Sequence, residues 1–147
     1  MGVLDKFAKL VGGGRVVVKL DEPPAAGNAG AAVKTLIAEL RPTLASQIQK
    51  GSTDEVLEAV LTRDQLESCE EILEPVLGEP AKPFGQSPAF DKALITLVDS
   101  RGGIRKDQCL YLCRYEDDFV AFAALWPWSG GDNITLRVGV YEEPYPA

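Results

Sequence analysis

The chain has 147 residues, of which 46% are hydrophobic and 25% are charged, and its formal net charge is −7. This length and composition are typical of one folded domain whose core needs no metal or disulfide. The acidic charge argues against a nucleic-acid partner, because affinity for phosphates depends on Lys and Arg.

Histidine is absent. This excludes Ser-His-Asp and Cys-His nucleophiles as well as His-ligated zinc. We predict no cofactor and no metal, and we favour a non-enzymatic protein; an enzyme working with carboxylates is the remaining catalytic alternative. Three cysteines without a secretory signal favour reduced thiols and a cytoplasmic location. No apolar run is long enough to predict a transmembrane segment.

The N-terminal residues 1–14 are predicted to be a short amphipathic helix with a glycine-rich tether, ahead of one α+β domain over residues 15–147. Apolar residues recur at helical spacing over residues 2–11, Phe7 among them, and three glycines follow. A helix this short is unstable alone in water, so it must dock. Its own domain, a groove on a partner and a membrane surface are the three open alternatives.

The first part of the domain is predicted to be one strand followed by helices. Residues 15–20, "RVVVKL", are β-branched and favour a strand. An Ala-rich run with apolar residues from Val33 to Leu40 then predicts a helix, with Asn28 as its N-cap. We expect Pro42 to start a second helical piece or to kink the first, with helix continuing to Gly51.

Two capping boxes predict two further short helices in tandem. Ser52 with Glu55 precedes "VLEAVL", and Thr62 with Gln65 precedes a second apolar stripe that includes Cys69. The second of these helices should end near Pro75 and Gly78, and the proline-rich residues 78–90 are predicted to be a connection. Cys69 is interpreted as a small core residue rather than a nucleophile.

The last third of the chain is predicted to form an antiparallel meander of four strands. The strand segments are "KALITLVDS", "QCLYLCRY", "FVAFAALW" and "ITLRVGVY", separated by short turn sequences. The third segment carries no polar residue, so it should lie in the middle of the sheet. The predicted fold class is therefore α+β: helices from the first half packed on one face of a mainly antiparallel four- to five-stranded sheet, with residues 15–20 as the additional strand.

Two tryptophans mark the first candidate binding surface. Trp126 and Trp128 flank Pro127, where the third segment ends at a Gly-Gly-Asp-Asn turn. Either one indole caps the open end of the core and the other covers the helices, each N–H bonded to a backbone acceptor, or the indoles form an exposed ledge for a partner chain or a sugar ring. The exposure of Trp128 distinguishes the two interpretations.

A basic loop marks the second candidate surface. "RGGIRK" places Arg101, Arg105 and Lys106 close together in an acidic chain, and we interpret it as the first hairpin loop of the meander. It is either a solvated turn or a site where these side chains and the backbone N–H groups of Gly102 and Gly103 bind a phosphate or carboxylate.

These observations predict a non-enzymatic cytosolic protein-binding module, such as an adaptor, a chaperone or an acidic immunity-type protein. Its partner would be another protein, including one with a basic surface, and a homo-oligomer is compatible with the same surfaces. The candidate contacts are Trp126, Trp128, the basic loop and the helix that carries Phe7. The alternative is a small-molecule or anion-binding sensor that uses the Arg101–Lys106 loop.

Overall fold

A computed structural model describes residues 15–18, 20, 23–100 and 103–146. The predicted helix of residues 1–14, with Phe7, and the prediction for Arg101 lie outside the described residues. The predicted α+β fold class is confirmed. The elements in chain order are β1 (Arg15–Val18), α1 (Ala29–Leu44), β2 (Leu57–Thr62), α2 (Arg63–Leu77), β3 (Ser87–Phe90), α3 (Lys92–Asp99), β4 (Cys109–Arg114), β5 (Val120–Pro127) and β6 (Asn133–Val140).

The main sheet has four strands in the order β2-β6-β5-β4, and every neighbouring pair is antiparallel. β5 lies in the interior of this sheet, as its apolar sequence predicts. Its alternate side chains enter two different clusters, because successive residues of a strand point to opposite faces. Ala121, Ala123 and Leu125 belong to the first cluster, and Val120, Phe122 and Ala124 to the second.

Helices α1 and α2 cover one face of the main sheet. The predicted caps of both helices are confirmed: Asn28 Oδ1 accepts from the N–H of Ala31 at 2.7 Å, and Thr62 and Gln65 form a capping box. α2 ends before Gly78, whose φ of 81° suits glycine. Pro42 lies within the last turns of α1, which ends at Leu44. The expected continuation to Gly51 is wrong, because a 3-10 turn and a β-bridge at residue 48 follow.

Helix α3 and a two-stranded parallel sheet, β1 with β3, lie on the opposite face. Leu94 and Val98 of α3 and Val18 of β1 pack in the second cluster with Leu110 and Phe122 of the main sheet. β4 and β5 are therefore covered on both faces. The strand predicted for residues 15–20 is confirmed over Arg15–Val18, but β1 pairs with β3 and does not extend the main sheet. β3 itself lies in residues 78–90, which were predicted to be a connection.

The helix predicted after Ser52 is wrong: residues 57–62 form β2. Leu57, Ala59 and Leu61 are buried and the residues between them are half-buried, so the observed period is two. Ser52 caps nothing; its Oγ accepts from the N–H of Glu58 at 3.0 Å. Short apolar runs fit helix and strand equally, and pairing with β6 decides the outcome here.

The strand predicted for residues 92–100 is also wrong, because Lys92–Asp99 is helix α3. Asp91 caps it by accepting from the N–H of Ala93 at 2.8 Å, and Leu94, Leu97 and Val98 are buried at helical spacing. The meander consequently has three strands, and β2 from the first half supplies the fourth. The described residues 103–106 of "RGGIRK" therefore lie between a helix and a strand, α3 and β4, rather than in a hairpin loop.

Candidate functional site

We call the face of the main sheet opposite to α1 and α2 the outer face. Its half over β4 and β5 is buried, whereas its half over β2 and β6 carries partly exposed side chains. We call this half the tryptophan face. Register brings its members together across three strands: Glu58 is opposite Arg137, and Thr135 is opposite both Val60 and Trp126. The tryptophan face comprises Glu58, Val60, Trp126, Trp128, Thr135 and Arg137.

Trp128 is both exposed and held in place. Its side chain is 49% exposed. Its backbone N–H donates to the carbonyl of Asn133 at 2.9 Å, and its indole Nε1 donates to Thr135 Oγ1 at 2.8 Å. Almost half of Trp128 is therefore open to solvent, and its indole N–H is bonded to the protein.

Trp126 is half-buried beside Trp128 and belongs to a polar array. The guanidinium carbon of Arg137 lies 4.9 Å from the centre of its ring, within cation–π range. Arg137 also donates to Glu58 Oε1 at 3.1 Å. The indole Nε1 of Trp126 is buried and has no acceptor among the described residues. Trp126, Arg137 and Glu58 thus form a continuous array across β5, β6 and β2.

The turn between β5 and β6 is tied to the helical layer. Its residue Gly130 has a φ of 72°, which glycine adopts without strain. The carbonyl of Asp132 accepts from the N–H of Arg63 at 3.0 Å, at the first residue of α2. The predicted turn is confirmed, and this bond fixes it beside the tryptophan face.

A lysine that the sequence analysis did not single out bonds the backbone of the basic loop. Lys82 is fully buried, and its Nζ donates to the carbonyls of Arg105 at 2.7 Å, Lys106 at 2.6 Å and Gln108. Burial lowers the pKa of the Lys82 ammonium to about 8, against the raising effect of Cys109 and Asp107. The proline-rich sequence around Lys82 has no periodicity, so no pattern marked this residue as buried.

The described part of the basic loop leaves Arg105 and Lys106 exposed. Arg105 Nε lies 3.9 Å from a carboxylate oxygen of Asp107. The N–H of Gly103 donates to the carbonyl of Val98 at 3.1 Å, so that donor is engaged within the protein. No described contact joins this loop to the two tryptophans, which makes them separate surfaces.

The cysteines are placed as small packing residues. Cys69 and Cys109 are buried and Cys113 is half-buried, and no disulfide joins them. Burial, with a smaller effect of the Glu70 carboxylate, raises the pKa of the Cys69 thiol to about 11. A thiol with so high a pKa is a poor nucleophile at neutral pH. Within the described ranges no group of three Cys, Asp or Glu residues is placed to hold a metal ion.

No protein-family model matches the chain, and neither the curated proteins nor the solved structures give a significant match. Over the part of the chain that the structure describes, no helix combines the length and the apolar character needed to cross a membrane. The candidate site therefore rests on the geometry of this chain.

Proposed function

We propose that the protein is a non-enzymatic protein-binding module whose tryptophan face contacts its partner. The observation that carries the proposal is Trp128, a tryptophan that is 49% exposed and yet fixed by its bond to Thr135. Trp and Arg are the residue types most enriched at interface hot spots. A side chain that is already ordered loses little further entropy when a partner binds, which favours affinity.

A protein partner suits this surface better than a small ligand. Small molecules bind in concave pockets that bury most of their surface, whereas the tryptophan face is one side of a β-sheet. The net charge of −7 favours a partner with a basic surface, as for an adaptor, a chaperone or an immunity-type protein. The lack of histidine and the high pKa of Cys69 support a non-enzymatic role.

The first experiment is tryptophan fluorescence with acrylamide quenching on the wild-type protein and on Trp128→Phe. We expect a red-shifted, readily quenched component in the wild type that disappears in the variant. If both indoles are blue-shifted and protected, Trp128 is not exposed in solution and the proposed face loses its main contact.

The second experiment compares the proteins that copurify with the wild type, with Trp128→Ala and with Ile95→Ala. Ile95 is a matched control, because it is 43% exposed on α3 and lies outside the tryptophan face. We expect a defined partner to copurify with Ile95→Ala as it does with the wild type. Its affinity for Trp128→Ala should be about 30-fold lower or more, the effect of losing a hot spot. Equal retention by both variants, with unchanged melting temperatures, contradicts the proposal.

The alternative function, an anion-binding sensor, has narrower support. Lys82 fixes the backbone of the loop that presents Arg105 and Lys106 to solvent. The test is the melting temperature in phosphate, compared with chloride at the same ionic strength. A rise in phosphate that is lost in the double variant Arg105→Gln, Lys106→Gln would support this alternative.

A further inference from the structure

The parallel pair β1–β3 has two edges, and they differ in their hydrogen-bonding capacity. In a parallel pair, alternate residues of one strand bond the neighbouring strand. Val16 is opposite Pro88 and Val17 is opposite Ala89. A ladder through Arg15 and Val17 would need the N–H of residue 88, which proline lacks. The ladder therefore runs through Val16 and Val18, and the carbonyl of Val18 accepts from the N–H of Asp91 at 3.3 Å.

It follows that the N–H and C=O of Val17 point away from β3, to the outer edge of β1. No described residue pairs with that edge. On the other side of the pair, Pro88 faces the outer edge of β3 without a donor, which blocks strand addition there. Within the described part of the chain, the two-stranded sheet is thus open on the β1 side and protected on the β3 side.

The side chains of β1 alternate in the manner of a strand with one buried face. Val18 is buried in the second cluster and Val16 packs against it, whereas Val17 is 65% exposed and Arg15 is exposed. An exposed β-branched residue beside unpaired backbone groups is the feature that other strands recognise.

The charge of β1 suits an acidic partner strand. Arg15 is its one charged residue and is exposed, and its side chain lies on the same solvent-facing side as that of Val17. A basic side chain beside the edge favours a segment that carries a carboxylate.

We propose that the outer edge of β1 accepts an extended acidic segment of another protein as a third strand. The segment pairs with the N–H and C=O of Val17, and on the solvent-facing side it places an apolar residue next to Val17 and a carboxylate next to Arg15. A membrane or a nucleic acid offers no matching row of amide donors and acceptors. This inference does not use the tryptophan face, and the two surfaces can fail separately.

The test is a titration of the full-length, isotope-labelled protein with a blocked peptide of the sequence Glu-Thr-Val-Thr-Glu, followed by NMR. This spacing places Glu and Val on one face of an extended strand. We expect the Val17 amide to shift and to become protected from hydrogen exchange. The matched peptide Lys-Thr-Val-Thr-Lys should bind more weakly, and Trp128→Ala should leave binding of the acidic peptide unchanged.

Two variants at one position separate backbone pairing from side-chain contact. Val17→Pro removes the outward N–H and no donor of the β1–β3 ladder, and Val17→Thr keeps that N–H. We expect Val17→Pro to weaken binding of the acidic peptide by about three- to tenfold, the scale of one net hydrogen bond, and Val17→Thr to weaken it by less. Hydrogen exchange of the wild-type Val17 amide tests the same point if Val17→Pro does not fold.

Three results would overturn the inference. They are an unperturbed Val17 amide at millimolar acidic peptide, equal binding by Val17→Pro and the wild type, and equal binding of the acidic and basic peptides. Perturbation of Val17 by anionic lipid vesicles but not by the peptide would likewise assign this edge to a membrane rather than to a protein strand.

Discussion

The two halves of the outer sheet face belong to the same four-stranded sheet but differ in cover and in chemistry. Phe122 and Trp126 lie on the same face of β5, four residues apart. Phe122 is buried in the second cluster and stacks on Tyr141 with ring centres 4.5 Å apart, whereas Trp126 lies against Arg137 at the border of the open half. A covered half depends on packing, so changes there should affect stability, and changes on the open half should affect binding.

The largest expected effect is on the covered half. Phe122→Ala should lower the free energy of unfolding by about 3–5 kcal/mol, because it leaves a cavity between α3 and the sheet. Urea unfolding measures this loss. Trp128→Ala serves as the comparison on the open half and should cost about 1 kcal/mol or less. Similar losses for the two variants would remove the distinction between the halves.

The next effect concerns the buried lysine beneath the basic loop. Lys82→Met should cost about 2–3 kcal/mol, because three carbonyl acceptors lose their donor while the replacement fits the same space. Lys106→Met is the matched control, since the Lys106 side chain is exposed in the basic loop, and it should unfold like the wild type. A stable Lys82→Met protein would show that those carbonyls find water or other donors.

The pH dependence of unfolding tests the same lysine. Its pKa is about 8 in the folded protein and near 10.5 when exposed, so the unfolded state binds more protons between these values. Stability therefore rises with pH in this window. The difference between the wild type and Lys82→Met should grow by about 2 kcal/mol from about pH 7 to about pH 9.5. Titration of groups that do not interact with Lys82 is common to both proteins, so a constant difference would contradict the lowered pKa.

The smallest expected effect on stability lies on the open half. Arg137→Met removes the contacts with Trp126 and Glu58, but the Glu58 side chain is 43% exposed, so unfolding should change by about 1 kcal/mol or less. A partner whose binding is weakened by Trp128→Ala should also bind Arg137→Met less tightly. Glu58→Gln keeps an acceptor for Arg137 and should retain most of the binding. If Arg137→Met lowers stability but not binding, the array of Trp126, Arg137 and Glu58 stabilises the fold and does not contact the partner.

Sequence signals that depend on a few specific neighbouring residues predicted the local structure correctly in three places. The Asn28 cap, the Thr62 and Gln65 box and the Gly-Gly turn after Trp128 each depend on a few neighbouring residues, and all three are confirmed. The predicted central position of β5 is also confirmed, because a strand without polar residues needs cover on both faces.

The two wrong assignments of helix and strand share one physical cause. Residues 57–62 and 92–99 are short apolar runs whose patterns fit helix and strand alike, and distant partners decided between the two. The tryptophan face could be predicted only in part. Its two tryptophans are adjacent to a recognisable turn, but Glu58 and Arg137 are 79 residues apart and meet through strand pairing that no local pattern encodes.

The strand order has a consequence for the time at which the tryptophan face forms. β2 pairs with β6, so that Leu57 faces Val138, and β6 is the last strand of the sheet along the chain. During synthesis on the ribosome, β2 emerges long before its partner, and closing so long a loop is entropically unfavourable and slow. The surface proposed for binding is therefore completed only after β6 has been made, so an unfinished chain lacks it.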